Sequence, residues 1–253
     1  MDWLLSRHPD YPKWVAGVPP SDRGRAAFLE ASIWPDTIKS DRRFHADNAR
    51  PTPNIPGLPP GAQARHTGWH YIDQPFSADG TPTHPGEEPN ILTVLRELQS
   101  LGAMPDPVKV YMLPWLIHLV GDMHQPLHTL QMFDRYRPDG DRGGNQVGLN
   151  SGNLHSYWDS HIGTGETDRY LNQLSVTIQQ RHPKAELLDM NPEHWAKEGF
   201  ELRGEVYGFG NTGKNPNPGI GTDAYAELAR ETSYERAALA GYRLAEFINQ
   251  RLK

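Results

Sequence analysis

Residues 107–124, PVKVYMLPWLIHLVGDMH, indicate the fold most clearly, because their apolar side chains cover nearly every face of a helix. A helix that is hydrophobic all round belongs in the interior of a protein. Pro114 predicts a kink in this helix or its first turn. The polar side chains of His118 and Asp122 therefore need partners away from water. The stretch predicts a buried central helix that carries a polar site.

Two histidine and aspartate pairs share one spacing: His118 with Asp122, and His155 with Asp159 in NLHSYWD. An i,i+4 spacing places both side chains of a pair on one helix face, close enough to share a metal ion. A single pair is explained as well by a buried histidine that hydrogen-bonds a carboxylate. An unpaired carboxylate in an apolar helix, however, costs on the order of several kcal/mol, and a cation offsets this most simply. The two pairs together with His128 favour a multinuclear zinc site.

Other polar residues are weaker candidates when judged by spacing alone. His124 lies two residues after Asp122 and points to another helix face, so we expect a structural or supporting role for it. Asp36 and His70 have the character of ordinary loop residues. His70 lies in TGWHYID, between stretches rich in proline and glycine, and we expect it to project from an ordered loop.

Helical periodicity recurs along most of the chain, with almost no alternating strand pattern. Residues 21–34 predict a helix that stops at Pro35 and delivers Asp36. Further helices are predicted over residues 91–102, 153–161, 168–180, 191–203 and 223–252. The segment GFGNTGKNPNPGIG, 208–221, is typical of a flexible surface loop. We expect an all-α fold, a single mostly helical domain over residues 1–253 with long irregular loops.

Composition sets limits on the chemistry. The chain has 253 residues, 36% of them hydrophobic, which suffices for one sizeable core. The net charge of −6 means that the surface as a whole does not attract polyanions, so local metal charge must hold a phosphate-bearing substrate. Because the chain has no cysteine, any metal is held by nitrogen and oxygen. The sequence shows neither a membrane anchor nor a signal peptide, and we expect a monomer that does not bind membranes.

Six segments occur in an order that resembles one known family: ASIWPDTIK, TGWHYID, HLVGDMHQPLH, GGN, NLHSYWD and AGYRLAEFIN. They are similar to the zinc-dependent single-strand nucleases, the S1/P1 nucleases, whose superfamily also holds bacterial zinc phospholipases C. The resemblance runs from about residue 31 to the C-terminus. It implies a phospholipase C/nuclease-like fold and hydrolysis of single-stranded RNA and DNA to 5′-nucleotides. It also implies 3′-nucleotidase activity and a secreted or periplasmic location.

The resemblance also implies roles for individual residues. Ligands of a first zinc are implied at Asp36, His70, His118 and Asp122, with Asp122 also bridging toward a third zinc, and ligands of a second zinc at His128, His155 and Asp159. The implied catalytic residues are Asp36, which orients the attacking water, and Lys39, which steadies charge on the phosphoryl group. A nucleobase pocket is implied at Tyr71, Asp73, Gly143 and Asn145. The alternative interpretation of Tyr71 is a buried core tyrosine.

The N-terminus departs from the family pattern. In the family, a third zinc is bound by an N-terminal tryptophan and by a histidine five positions later. Trp3 and His8 have that spacing, but Met1 and Asp2 precede them, and SRHPDYPKW is typical of the end of a first helix and its loop. We expect a chain without the family's first helix and N-terminal ligands, which clearly supplies ligands for two of the three zinc ions. A genuine two-zinc variant is the alternative.

Two other functions stay open at this point. A zinc-dependent phospholipase C uses the same metal arrangement, but it needs exposed apolar loops beside the metals, whereas Tyr71, Asp73 and the GGN segment favour a base pocket. The second alternative is a non-catalytic metal-binding helical protein that has lost its third site.

Overall fold

The computed structural model describes residues 1–149, 151–165, 167–208 and 222–252. Its α-helices, in chain order, are α1 (Asp2–Leu5), α2 (Tyr11–Trp14), α3 (Arg23–Thr37), α4 (Ile91–Leu98), α5 (Asp106–His124), α6 (Leu154–His161), α7 (Asp168–Arg181), α8 (Pro192–Glu201), α9 (Arg203–Val206) and α10 (Asp223–Arg251). Short 3-10 helices lie at Pro20–Asp22, Thr67–His70, Leu101–Ala103 and Pro126–His128. The expected all-α fold is confirmed. The predicted loop at 208–221 lies outside the described residues, apart from Gly208.

Helix α5 runs through the interior, as its all-round apolar sequence predicts. Leu113, Trp115 and Leu116 have no exposed surface, and α3, α4 and α10 pack around the helix. The helix begins at Asp106, so Pro114 lies inside it rather than at its start. The polar residues of α5 are therefore held in a fixed frame of packed helices.

Helix α3 corrects the predicted end at Pro35. It continues through Pro35 to Thr37, which places Asp36 in its last turn. Trp34 is buried and meets the rings of Tyr111 and Trp115 of α5 edge-on, at 6.0 and 6.2 Å between centroids. We attribute the continuation to this packing, because tertiary contacts override the local preference against proline.

Other helix boundaries differ modestly from the prediction. Helix α4 ends at Leu98 rather than at residue 102, and a 3-10 turn follows. The helix predicted at 191–203 is divided into α8 and α9. Helix α6 begins at a capping box, in which Asn153 and Ser156 exchange side-chain to backbone hydrogen bonds. This cap fixes the start of the turn that carries His155.

Two four-residue strands, which the sequence did not predict, bring distant segments together. Strand β1 (Gln74–Ser77) pairs in parallel with β2 (Leu130–Phe133), Gln74 lying opposite Leu130. Just before the pair, the backbone N–H of Ile72 donates to the carbonyl of His128 at 2.8 Å. The short sheet therefore aligns the segment after His70 with the segment that follows α5.

Within the described ranges, the buried side chains form two clusters. The larger one surrounds α5, and the smaller one lies around α6 and α9 and includes Leu154 and Trp158. The 3-10 helix Pro126–His128 joins α5 to the smaller cluster. Among the helices that the structure describes, none combines the length and hydropathy needed to cross a bilayer.

Candidate metal centre

Three chain segments bring the first group of polar atoms together. Asp36 comes from the last turn of α3, His70 from a 3-10 helix and His118 from α5, and one ligand atom of each lies within 4.8 Å of the others. Asp122 Oδ2 lies 3.0 Å from His118 Nε2 and 3.1 Å from His70 Nδ1. The two ring nitrogens are themselves 2.9 Å apart. Four nitrogen and oxygen donors therefore face one small volume.

The second group adjoins the first through Asp122. His128, His155 and Asp159 also bring one ligand atom each within 4.8 Å of the others. His155 Nε2 lies 3.7 Å from Asp159 Oδ2, and the rings of His128 and His155 are 4.9 Å apart. Asp122 Oδ2 lies 3.7 Å from His128 Nδ1. The structure thus gathers all seven residues for which the resemblance implies a metal-binding role.

Backbone carbonyls determine which ring nitrogen faces the groups in three of the histidines. Nδ1 lies 2.6 Å from the carbonyl oxygen of Ser32 for His118, 2.7 Å from that of His70 for His128, and 2.7 Å from that of Gly143 for His155. A carbonyl oxygen only accepts, so Nδ1 carries the proton and donates. The neutral ring then keeps its lone pair on Nε2, the form that binds a metal.

The charge balance of the site also fits a cation. Burial alone would raise the pKa of Asp122, but His128, His118 and His70 hold that pKa well below its usual range. Burial lowers the pKa of His70 more than its hydrogen bond with Asp122 raises it. Burial would likewise lower the pKa of His118, but Asp122 and Asp36 raise it. An ionised, buried carboxylate among imidazoles is well matched to a bound divalent cation.

The donor set fits zinc. All the gathered atoms are imidazole nitrogens and carboxylate oxygens, which zinc accepts. His70 differs from the other rings, because its Nδ1 faces the group while its buried Nε2 has no hydrogen-bond partner among the described residues. The four imidazoles and three carboxylates suffice for two adjacent ions.

Lys39 and Asp36 lie at the open side of the first group. Lys39 Nζ donates to Asp36 Oδ1 at 2.7 Å, and both side chains are about half exposed. The pair lies at the end of α3, where that helix meets solvent. The amine is thus next to a candidate ligand and accessible to a charged substrate.

A cavity of about 1000 Å³ takes in all four residues of the implied base pocket: Tyr71, Asp73, Gly143 and Asn145. Tyr71 is 42% exposed, so it is not the core tyrosine of the alternative interpretation. Burial, and then the charges of Asp141 and Glu87, raises the pKa of Asp73 to about 6. The cavity therefore combines an accessible aromatic ring with a hydrogen-bond acceptor.

Asp141 supports this cavity, and sequence reasoning missed it. The carboxylate is fully buried and accepts hydrogen bonds from the backbone N–H of Met132 at 2.9 Å, the backbone N–H of Gly144 at 3.0 Å and the hydroxyl of Tyr207 at 2.6 Å. Burial raises its pKa despite these bonds. The signal was available, because an aspartate three residues before a glycine is typical of a side-chain-capped turn.

The loop that Asp141 holds also contacts the metal centre. Gly143 has a φ of +58° and Gly144 one of +80°, conformations that favour glycine. A Cβ atom at Gly143 would lie only 2.4 Å from the carbonyl oxygen of Leu127, so this close approach also requires glycine. The Gly143 carbonyl orients the ring of His155. One loop thus lines the cavity and positions a candidate ligand.

Two glutamines orient carboxylates of the site. Gln125 Nε2 donates to Asp159 Oδ1 at 2.8 Å. When the amide of Gln131 is oriented to donate, its nitrogen lies 3.0 and 3.1 Å from the two carboxylate oxygens of Asp73. Gln125 belongs to the HQPLH segment, and its position as a polar residue close to candidate ligands could have identified it from the sequence.

His124 lies outside both groups, in agreement with its expected structural role. The ring is buried, its Nδ1 donates to the carbonyl of Val120 at 2.7 Å, and its Nε2 accepts from Arg243 at 2.8 Å. Arg243 in turn pairs with Glu198. This buried network ties the end of α5 to α8 and α10.

Trp3 and His8 join neither candidate ligand group. Trp3 is 57% exposed, whereas the His8 ring is buried against Trp14, at 4.5 Å and nearly parallel, and against Trp34, at 4.9 Å and edge-on. Burial lowers the pKa of His8 to about 4. The structure therefore assigns His8 to the hydrophobic core around α5.

Comparison with known protein families agrees with this geometry. The S1/P1 nuclease family model matches residues 8–253, essentially the whole chain, and confirms the resemblance of the six segments. A search of curated proteins found no match. The family consists of zinc-dependent nucleases, hydrolases that act on phosphodiester bonds in nucleic acid, and its members are usually secreted. With the match spanning both ligand groups and the cavity, the chain belongs to the S1/P1 nuclease family.

Proposed function

We propose that this protein is a zinc-dependent phosphodiesterase that hydrolyses single-stranded RNA and DNA to 5′-nucleotides, with 3′-nucleotidase activity toward mononucleotides. The observation that carries the proposal is the pairing of two ligand groups around Asp122 with a cavity lined by Tyr71 and Asp73. The first feature suits hydrolysis of a phosphate ester, and the second suits recognition of a base.

We assign the zinc ions to the two ligand groups. A first ion is held by Asp36, His70, His118 and Asp122, and a second by His128, His155 and Asp159. When bound, clustered zinc supplies a water with its pKa lowered toward about 7 and a Lewis acid for the phosphoryl oxygens. In this proposal Asp122 holds the first ion and lies 3.7 Å from His128 of the second group, so bound cations offset its buried charge.

Two residues of the chain then orient the attacking water and offset the charge that develops on the phosphate. The half-exposed carboxylate of Asp36 accepts a hydrogen bond from the attacking water and so directs it toward phosphorus. As negative charge grows on the phosphoryl and leaving oxygens, the ammonium of Lys39 offsets it. Both groups act at the open side of the site, where a strand can approach.

The cavity explains the preference for single strands. Tyr71 stacks on a base by its face, and Asp73 accepts hydrogen bonds from base N–H groups. A base must leave its stack to enter such a cavity, which costs less in a single strand than in a duplex. Stacking tolerates every base, so a broad sequence range is expected.

The cavity gives less support to a phospholipase C. Asp47, Asp73, Glu87, Glu88 and Asp139 make its lining acidic. Among the large apolar side chains that are exposed in the described residues, Tyr71 lines it, whereas Ile33, Val176 and Leu228 lie on α3, α7 and α10. An acidic wall suits bases with N–H donors better than acyl chains. The half-exposed pair of Asp36 and Lys39 beside the first ligand group favours catalysis over metal binding alone.

The proposal extends to organisation and location. We infer a single domain over residues 1–253, since one family match spans residues 8–253. We further infer that the protein is a monomer and that it is secreted or periplasmic, since members of the family are usually secreted.

Metal analysis and product analysis together test the function. The purified protein should contain at least two zinc ions per chain, one for each ligand group. It should convert single-stranded DNA and RNA to 5′-nucleotides and release phosphate from 3′-AMP, as followed by liquid chromatography. A zinc-loaded protein that leaves both polymers intact would disprove the proposal. Release of phosphocholine from phosphatidylcholine vesicles in place of nucleotides would instead establish the phospholipase function.

A further inference from the structure

A strained backbone conformation marks one part of the cavity lining. His66 has φ +48° and ψ +46°, the left-handed region that non-glycine residues rarely adopt. The carboxylate of Asp47 holds it there: Oδ1 accepts from the backbone N–H of His66 at 2.6 Å, and Oδ2 accepts from the backbone N–H and the hydroxyl of Thr67 at 2.9 and 2.7 Å. Such strain persists where the surroundings over-determine it, and it concentrates at functional sites.

The conformation places the ring of His66 flat against Trp69. The two centroids are 3.7 Å apart and the planes differ by 12°. Trp69 in turn meets Trp115 of α5 at 4.9 Å, so the pair is anchored to the central helix. Burial lowers the pKa of His66 to about 4, which keeps the ring neutral near pH 7. The result is a rigid, uncharged aromatic pair.

This pair and Tyr71 line the same cavity. Pockets that bury one drug-sized ligand span roughly 300 to 1,000 Å³. At about 1000 Å³, this cavity is at the upper end of that range and has room for more than a single nucleoside. Tyr71 accounts for one base and leaves His66 and Trp69 without a role in the proposed function.

The charge of the cavity lining indicates which part of a nucleic-acid strand enters the cavity. Asp73, Glu87 and Asp139 are among the acidic residues that line the cavity, and Arg142 is a basic residue of the same lining. Phosphates are repelled by such a wall, whereas bases with N–H donors are attracted. A strand would therefore insert its bases and keep its phosphates toward the metal groups.

We propose that His66 and Trp69 form a second nucleobase subsite, which stacks on the base adjacent to the one at Tyr71 and makes strands of two or more nucleotides better substrates than mononucleotides. The inference rests on the proposed nuclease function and specifies its substrate. Its physical basis is that each base stacked on an aromatic side chain adds affinity without sequence preference.

Substitutions at His66 test the second subsite, and the residues chosen must tolerate the left-handed backbone conformation. His66→Gly and His66→Asn both suit a left-handed conformation, so the hydrogen bonds to Asp47 are kept while the ring is lost. We expect the ratio of KM for the dinucleotide d(TpT) to KM for 3′-TMP to rise about tenfold in both variants, the effect of losing one stacked base. His45→Asn is the matched control, a half-buried histidine nearby that does not line the cavity, and it should leave the ratio as in the wild type.

The outcomes separate the two proposals. A ratio that stays at the wild-type value in both His66 variants, in an enzyme that cleaves d(TpT), would overturn the second subsite and leave the nuclease function intact. A fall in activity that is equal for both substrates would also overturn it, because it would show a merely structural role. Failure of the zinc-loaded wild type to cleave either substrate would refute the nuclease function itself.

Discussion

Replacing Asp122 with asparagine should remove zinc and destabilise the protein together. The substitution keeps the shape of the side chain but removes a charge that lies 3.0 Å from His118, 3.1 Å from His70 and 3.7 Å from His128. Breaking one partner out of a buried ionic network costs about 3–5 kcal/mol. At about 2–4 °C per kcal/mol for a chain of this size, the melting temperature should fall by about 10 °C.

The destabilisation should depend on metal, because the free energy of metal binding is partly folding free energy. We therefore expect a large difference in melting temperature between wild type and Asp122→Asn in zinc buffer, and a smaller one in EDTA. Zinc per chain, measured by mass spectrometry, should fall in parallel. The matched control is Asp106→Asn, which changes a half-exposed carboxylate in the first turn of the same helix. Wild-type zinc content and melting temperature in Asp122→Asn would refute the role of Asp122 as a metal ligand.

Three further predictions concern catalysis and recognition. Lys39→Met should lower kcat about 100-fold, the usual effect of losing one group that stabilises transition-state charge, with zinc content unchanged; a kcat within threefold of wild type would contradict this role. Tyr71→Ala should raise KM for 3′-AMP about tenfold, whereas hydrolysis of a base-free phosphodiester should change little; equal losses on both would argue against stacking. Since the pKa of Asp73 is about 6 rather than the usual 3.8, lowering the pH from 7 to 5 should protonate its carboxylate and raise KM. Asp73→Asn should remove this pH dependence, and a persistent dependence would assign it to another group.

The central helix and the two histidine and aspartate pairs were predictable because local periodicity determines them. A hydrophobic stretch covering all helix faces belongs in the interior, and an i,i+4 spacing needs no tertiary information. His118 and Asp122 could therefore be paired from the sequence, as could His155 and Asp159. The structure adds that Asp122 Oδ2 lies near both groups.

The spacing of residues in the sequence could not predict which distant residues meet in the fold. His70 is 52 positions from Asp122, and the two meet because the β1 and β2 strands align their segments. Those strands are only four residues long, too short for a visible alternation. Asp36 was expected after the helix rather than inside it, because the packing of Trp34 on α5 outweighs the preference of Pro35 to end a helix. Only the family resemblance identified Asp36 and His70 as candidates.

Supporting residues were harder still to predict. Asp141 makes its contacts with β2, with the glycine loop and with Tyr207, which is 66 positions away. Its turn-capping signal was local, whereas its role depends on the loop that it holds against His155. A residue that acts by positioning another residue is therefore difficult to identify from a single sequence.

A crystal structure of the zinc-soaked protein, with data collected on both sides of the zinc absorption edge, would show whether the two ligand groups hold zinc. We expect one anomalous peak among Asp36, His70, His118 and Asp122, and a second among His128, His155 and Asp159. Protein that crystallises with zinc in the buffer but shows no peak between these side chains would contradict this expectation.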